Sequence, residues 1–192
     1  MGETPKPLML TEEQKKSLLA VARQVVEQQV RGERVSQFEA HDPVLHEKRG
    51  CFVTLHNHGN LRGCIGQFTA RAPLVETIRE MGIAAAQDSR FLRNPIRPAE
   101  LGQLDIEISV LSTLERTNDP LSLELGVHGI YIKRGWAAGC FLPQVATETG
   151  WSKEEFLTNC CAGKAGLPAD AWQRPDTEVY LFTAEIFGEK DP

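Results

Sequence analysis

The sequence predicts an α+β fold, a mainly antiparallel sheet flanked by helices. Three observations carry this. Strand-like runs recur as hairpin pairs more often than as β-α-β units, residues 104–111 alternate strictly between apolar and polar side chains, and capping-box patterns open helices at Thr11 and Ser152. In chain order, residues 1–9 form a flexible tail, because Pro5 and Pro7 prevent helix initiation before them. The first helix begins at Thr11, where Thr-x-x-Gln to Gln14 is a capping box and Glu12 and Glu13 suit the positive helix end. Leu18, Leu19, Ala22, Val25, Val26 and Val30 follow at three-to-four spacing, and Gly32 closes the stripe. After a polar loop to Gly50, residues 51–55 and 61–68 flank a Gly-containing turn over 56–60, which reads as a β-hairpin. Pro73 starts a second helix with Leu74, Ile78, Met81 and Ala85 on its apolar face. The strand at 104–111 puts Ile106, Ile108 and Val110 on one face and Asp105, Glu107 and Ser109 on the other. A further strand pair surrounds Arg134-Gly135-Trp136, and a short helix follows Pro143. A helix capped by Ser152 ends at Gly163, and residues 178–186 form a closing strand. No repeat or Gly/Ser linker cuts the chain, so residues 10–190 make one domain and any second lobe is interleaved with the first.

The chain has 192 residues, enough for one domain that removes roughly 70% of its unfolded surface from water. Lys and Arg number 21 against 26 Asp and Glu, a net charge of -5, which disfavours phosphate backbones and anionic lipid as partners. No run approaches ~18 apolar residues, and the start lacks a secretory pattern, so no membrane span is expected and the cytoplasm is the expected compartment. Five Cys without a Cys-x-x-Cys spacing point to free thiols.

Residues 61–66, Leu-Arg-Gly-Cys-Ile-Gly, are the most unusual stretch. Strand alternation projects Arg62 and Cys64 to one side, about 6.5 to 7 Å apart at the backbone. A guanidinium near a thiol favours the nucleophilic, metal-binding thiolate. Gly63 and Gly66 permit close approach of a backbone or ligand. The bland alternative is a core Cys beside a surface Arg, with the glycines at a bulge. Glu107 either meets solvent on a wet sheet face, lines a cleft, or pairs with Arg62 or Arg90. His56 and His58 fall in the predicted turn without supporting ligands, so no metal is assigned there. Cys160-Cys161 reads as helix-end packing, and His128 as either a structural imidazole or one that reaches a cleft. Nucleotide-loop, nucleophile-elbow and zinc-protease signatures are absent.

With the hexapeptide stand Arg49-Gly50-Cys51-Phe52-Val53-Thr54-Leu55, Asp88-Ser89-Arg90-Phe91, residues 106–111, His128-Gly129, residues 142–146, Trp151, residues 164–168 and Trp172. In this order they resemble the AMMECR-one family over roughly residues 10–188. Ser89 and Leu92-Arg93-Asn94 depart from it, since relatives tend to carry prolines there. The resemblance implies two sub-lobes with antiparallel sheets and a cleft lined by the hexapeptide. It also implies Memo-like and radical S-adenosylmethionine proteins as partners, and it supplies neither a reaction nor a cofactor. It draws together Arg62, Cys64, Asp88, Arg90, Glu107, Ser109, His128 and Lys164, of which Asp88 with Arg90 reads as an ion pair bracing a loop. The resulting expectation is a cleft protein for a small polar or anionic ligand. Cys64 is nucleophile or soft ligand, Arg62 the anion holder, Glu107 the proton carrier or orienter of Arg62, and Gly63, Gly66, Arg90, Ser109 and His128 supply binding contacts. A non-catalytic docking adaptor and a nucleic-acid regulator with a concentrated basic face are the competing readings.

Overall fold

The structure is a computed structural model, and it describes residues 9–38, 42–69 and 71–190. The expected tail at 1–9 lies outside these residues except for Met9. The chain forms two compact units, one built from Met9–Leu111 together with residues 185–190, the other from Ser112–Ala184.

The N-terminal unit contains α1 (Glu12–Arg31), β1 (Cys51–Asn57), β2 (Asn60–Gln67), α2 (Leu74–Ala86), β3 (Leu104–Leu111) and β8 (Ala184–Gly188). Its sheet has the order β2-β1-β3-β8. The Thr11 capping box forms as the sequence predicts, with the Gln14 amide donating to Thr11 Oγ1 at 3.2 Å and the Thr11 amide donating to Gln14 Oε1 at 2.8 Å. Gly32 ends α1 in the left-handed region, φ 70°. Leu18, Val21, Ala22, Val25 and Val26 are its buried stripe, whereas Leu19 and Val30 are only half-buried. The β1–β2 turn is tighter than the sequence suggests. Only His58 and Gly59 remain outside the strands, both at positive φ (48° and 80°), the geometry that matches hairpin twist. β1 pairs antiparallel with both β2 and β3, so its inward residues Cys51, Val53 and Leu55 are fully buried. α2 covers the face that carries Gly63, where a Cβ would overlap the Ala85 carbonyl.

The central unit contains β4 (Glu115–Thr117), β5 (Gly129–Arg134), β6 (Ala137–Phe141), α3 (Pro143–Thr149), α4 (Lys153–Cys160) and β7 (Glu178–Phe182), with sheet order β4-β7-β5-β6. Ile130, Ile132, Val179 and Leu181 meet Phe156, Leu157 and Cys160 of α4 in its core. The Ser152 capping box is present. Gly163 does not end the segment after it: the chain continues through one π-helical turn, Cys161–Ala165, and stops at Gly166, φ 65°. That turn packs against Gly139, where any Cβ would collide with Lys164 and Ala165. The single closing strand expected at 178–186 is two strands in two sheets. Thr183 breaks it, donating its amide to Ser112 Oγ and accepting from the Ser112 amide, both at 2.9 Å, so the ladder of β7 ends before β8 begins.

Candidate functional site

Register organises the N-terminal sheet into rows. Thr54 faces Cys64 on one side and Glu107 on the other, and Phe52 likewise lies between Gly66 and Ser109. Because Gly63, Leu55 and Ile106 form the neighbouring row on the α2 side, alternation turns the Cys64–Thr54–Glu107 row to the opposite face. Cys64, Thr54 and Glu107 are half-buried there, and Ser109 is buried. Thr54 Oγ1 donates to Cys64 Sγ at 3.3 Å. Two strand spacings separate the backbones of Cys64 and Glu107 by about 9.5 Å, with Thr54 standing between them. Glu107 is itself engaged by a neighbouring group.

Cys64 lies on an edge strand, and its outward backbone groups are capped. Its amide donates to Asp88 Oδ2 at 3.0 Å, and its carbonyl accepts from Arg90 Nη2 at 3.0 Å. Asp88, with 1% of its side chain exposed, also accepts from the Arg90 amide at 3.0 Å and forms an ion pair with the Arg90 guanidinium at 2.5 Å. That guanidinium, aided by the Cys64 and Arg90 amides, outweighs burial and pulls the Asp88 carboxyl down to about 2. Arg90 is correspondingly raised, first by Asp88 and more weakly by Cys64. The ion pair expected to brace this loop therefore exists, and it also completes the edge of β2.

Arg62 goes elsewhere. The register shifts between Leu55, which faces Gly63, and His56, which faces Leu61, so Arg62 is the extra residue of a β-bulge. Its Nε and Nη2 donate to Glu100 at 3.2 and 3.3 Å. Burial pushes the Glu100 carboxyl up, but hydrogen bonds from the Arg97 amide, Arg62 and Asn57 prevail and hold it below its ordinary value. The Phe91 ring stands beside both guanidinium groups, 5.7 Å from Arg62 and 5.8 Å from Arg90. The cation in contact with Cys64 is thus Arg90. Gly63 and Gly66 have their space filled from within, by the Ala85 carbonyl and the Phe52 ring.

His128 belongs to the central unit, 2% exposed, with Nδ1 accepting the Glu124 amide at 2.9 Å. Burial pushes its pKa below the ordinary value, Glu124 opposing and Lys153 assisting. Thr54 and Glu100 are the site residues that sequence reasoning missed. Thr54 follows from strand pairing alone, while Glu100 lies 38 residues from Arg62 and leaves no local signal. No group of three His, Cys, Asp or Glu side chains suited to a metal occurs among the described residues. None of the described helices is long and apolar enough to cross a membrane.

Two four-stranded antiparallel sheets with flanking helices, and a sheet-edge cysteine inside Leu-Arg-Gly-Cys-Ile-Gly, define a class of α+β protein. The AMMECR1 family model matches residues 19–187, and the chain belongs to that family. It is 43% identical over 188 residues to a Methanothermobacter thermautotrophicus protein, covering 94% of this chain and 96% of that one. Protein TK0174 of Thermococcus kodakarensis is 45% identical over 187 residues, covering 91% of this chain and 90% of its own. The crystal structure of the uncharacterised protein PH0010 from Pyrococcus horikoshii is similar with a TM-score of 0.85 at 38% identity, covering 95% of each chain.

Proposed function

We propose that the protein binds a small polar or anionic ligand on the face of its N-terminal sheet that carries the Cys64–Thr54–Glu107 row, with the Cys64 thiol as the reactive group. One observation supports this above others: a half-buried thiol is held by the Thr54 hydroxyl, while a guanidinium with 54% of its side chain exposed is bonded to the backbone carbonyl of the same residue. Asp88 engages Nε and Nη2 of Arg90, which leaves the Nη1 edge for an anionic ligand group. In this reading Arg90, not Arg62, meets the anion, because the Arg62 side chain is buried against Glu100 whereas Arg90, although paired with Asp88, keeps 54% of its side chain exposed. Glu107 and Thr54 complete the polar row. Memo-like and radical S-adenosylmethionine proteins would be the partners that supply or consume the ligand.

Alkylation of the folded protein tests this. Cys64 and Cys140 are half-buried, whereas Cys51, Cys160 and Cys161 are buried and their thiols are pushed up by burial. Iodoacetamide should modify Cys64 in the folded protein, because its thiol is half-buried rather than sealed in the core. A fraction of small metabolites that protects Cys64 while leaving Cys140 reactive would mark the ligand. A Cys64 that reacts only after denaturation removes the thiol from the function.

A further inference from the structure

The pairing that builds the Cys64–Thr54–Glu107 row also brings a histidine onto its face. The ladder between β1 and β3 runs without a shift from the Cys51–Val110 pair to the Asn57–Leu104 pair. Along it Cys51, Val53 and Leu55 are fully buried, while Phe52, Thr54 and His56 are half-buried. Alternation therefore turns His56 to the same side as Thr54 and away from α2. On β3 it puts Asp105 on the face of Glu107, and the register sets Asp105 directly opposite His56. The sequence places His56 in a turn; because that turn contracts to His58 and Gly59, the imidazole belongs to the sheet.

Distance favours His56 over Glu107 as the proton partner of the thiol. Cys64 faces Thr54, two residues from His56, and diagonal neighbours on paired strands lie about 7–8 Å apart at the backbone. An imidazole and a thiol together span that gap, whereas Glu107 stands beyond Thr54 on the next strand and is engaged by another group. Because Thr54 Oγ1 donates to Cys64 Sγ, the hydrogen of the thiol is not used in that bond and can point toward the imidazole.

Asp105 supplies the orienting group. Its Oδ2 pairs with Lys190 Nζ at 3.3 Å, while its Oδ1 is buried and accepts no hydrogen bond from the described residues. A buried acceptor without a donor is costly. Residues directly opposite on antiparallel strands have Cβ atoms about 4.5–5.5 Å apart, which is within reach of an imidazole N–H. A neutral imidazole that donates one nitrogen to Oδ1 keeps the other as an acceptor, and a base requires that acceptor.

We infer that His56, oriented by Asp105, takes the proton of Cys64 when the thiol reacts. The inference rests on the reading of Cys64 as the reactive group. With iodoacetamide as electrophile, Sγ bonds to carbon as the C–I bond breaks, iodide leaves with the bonding pair, and the thiol proton passes to the imidazole and from there to water.

Alkylation of the folded protein at neutral pH, followed by peptide mass mapping, tests this with the half-buried Cys140 as internal reference. His56→Gln should slow modification of Cys64 roughly tenfold or more and leave that of Cys140 unchanged. Asp105→Asn should slow it severalfold, and thermal melting checks that each variant folds. In His56→Ala, added imidazole should restore the Cys64 rate without accelerating Cys140, a result that a purely structural histidine would not give. A parent whose Cys64 reacts only after denaturation overturns the reading of the thiol and this inference with it. A parent whose Cys64 reacts when folded, with rates unchanged in His56→Gln and Asp105→Asn or with no rescue of His56→Ala by imidazole, overturns the role of His56 alone.

Discussion

Asp88 shows what one side chain decides at this site. Its two oxygens receive the Cys64 amide, the Arg90 amide and the Arg90 guanidinium, while almost none of its surface reaches water. Asp88→Asn keeps the shape but turns a donor toward donors, and hydrogen bonds to a buried carboxylate set the expected loss at about 2 kcal/mol at pH 7. The sign with pH follows from the lowered value. Folding holds this carboxyl near 2, below the ordinary 3.8, so its stabilisation is complete above pH ~4 and fades as pH falls through the folded value. Urea unfolding of parent and variant should therefore differ at neutral pH and converge near pH ~2; a gap that persists in acid would show that packing, not charge, causes it. Cys64→Ser should leave this gap unchanged, since Asp88 contacts the residue's backbone amide and not its sulfur.

At the scale of elements, what was legible in the sequence was what is local. The Thr11 and Ser152 boxes, the Gly32 stop and the alternation of β3 each lie within a few residues, and each appears in the structure. The course of Arg62 was not legible, because a one-residue bulge at β1–β2 reverses the inference drawn from simple alternation and the Glu100 partner arrives from a distant 3-10 turn. The division of residues 178–186 between two sheets depends on the Ser112–Thr183 bonds, a pairing 71 residues apart that no local pattern encodes. Gly63 was legible as a point of close approach but not as to what approaches. Since the Ala85 carbonyl fills the space of its Cβ, Gly63→Ala must displace α2 from β2, at an expected cost of roughly 3 kcal/mol. Gly102, with nothing within reach of a Cβ, is the control: Gly102→Ala should stay within about 0.5 kcal/mol. Equal thermal melting of the two variants would contradict this packing of α2.

Over the whole molecule, the two units differ in the groups that acid attacks. In the N-terminal unit the shifted acidic groups are Asp42, Asp88 and Glu100, all held below their ordinary values by hydrogen bonds. In the central unit the shifted group of the acid range is His128, lowered by burial. An unfolded imidazole takes up a proton near pH ~6.5, whereas the folded one resists it. The unfolded chain therefore binds the extra proton first, and stability present above pH ~6.5 is lost as pH falls toward the folded value. The carboxylates of the other unit remain charged through that window and fail only below pH ~4. Hydrogen exchange at stepped pH should show the slow amides of residues 112–184 losing protection before those of β1 and β3. His128→Asn retains an oxygen to accept the Glu124 amide but removes the titration, so it should flatten the first window and leave the second in place. Simultaneous loss of protection in both units, or a first window unchanged by His128→Asn, would assign acid sensitivity to groups other than these.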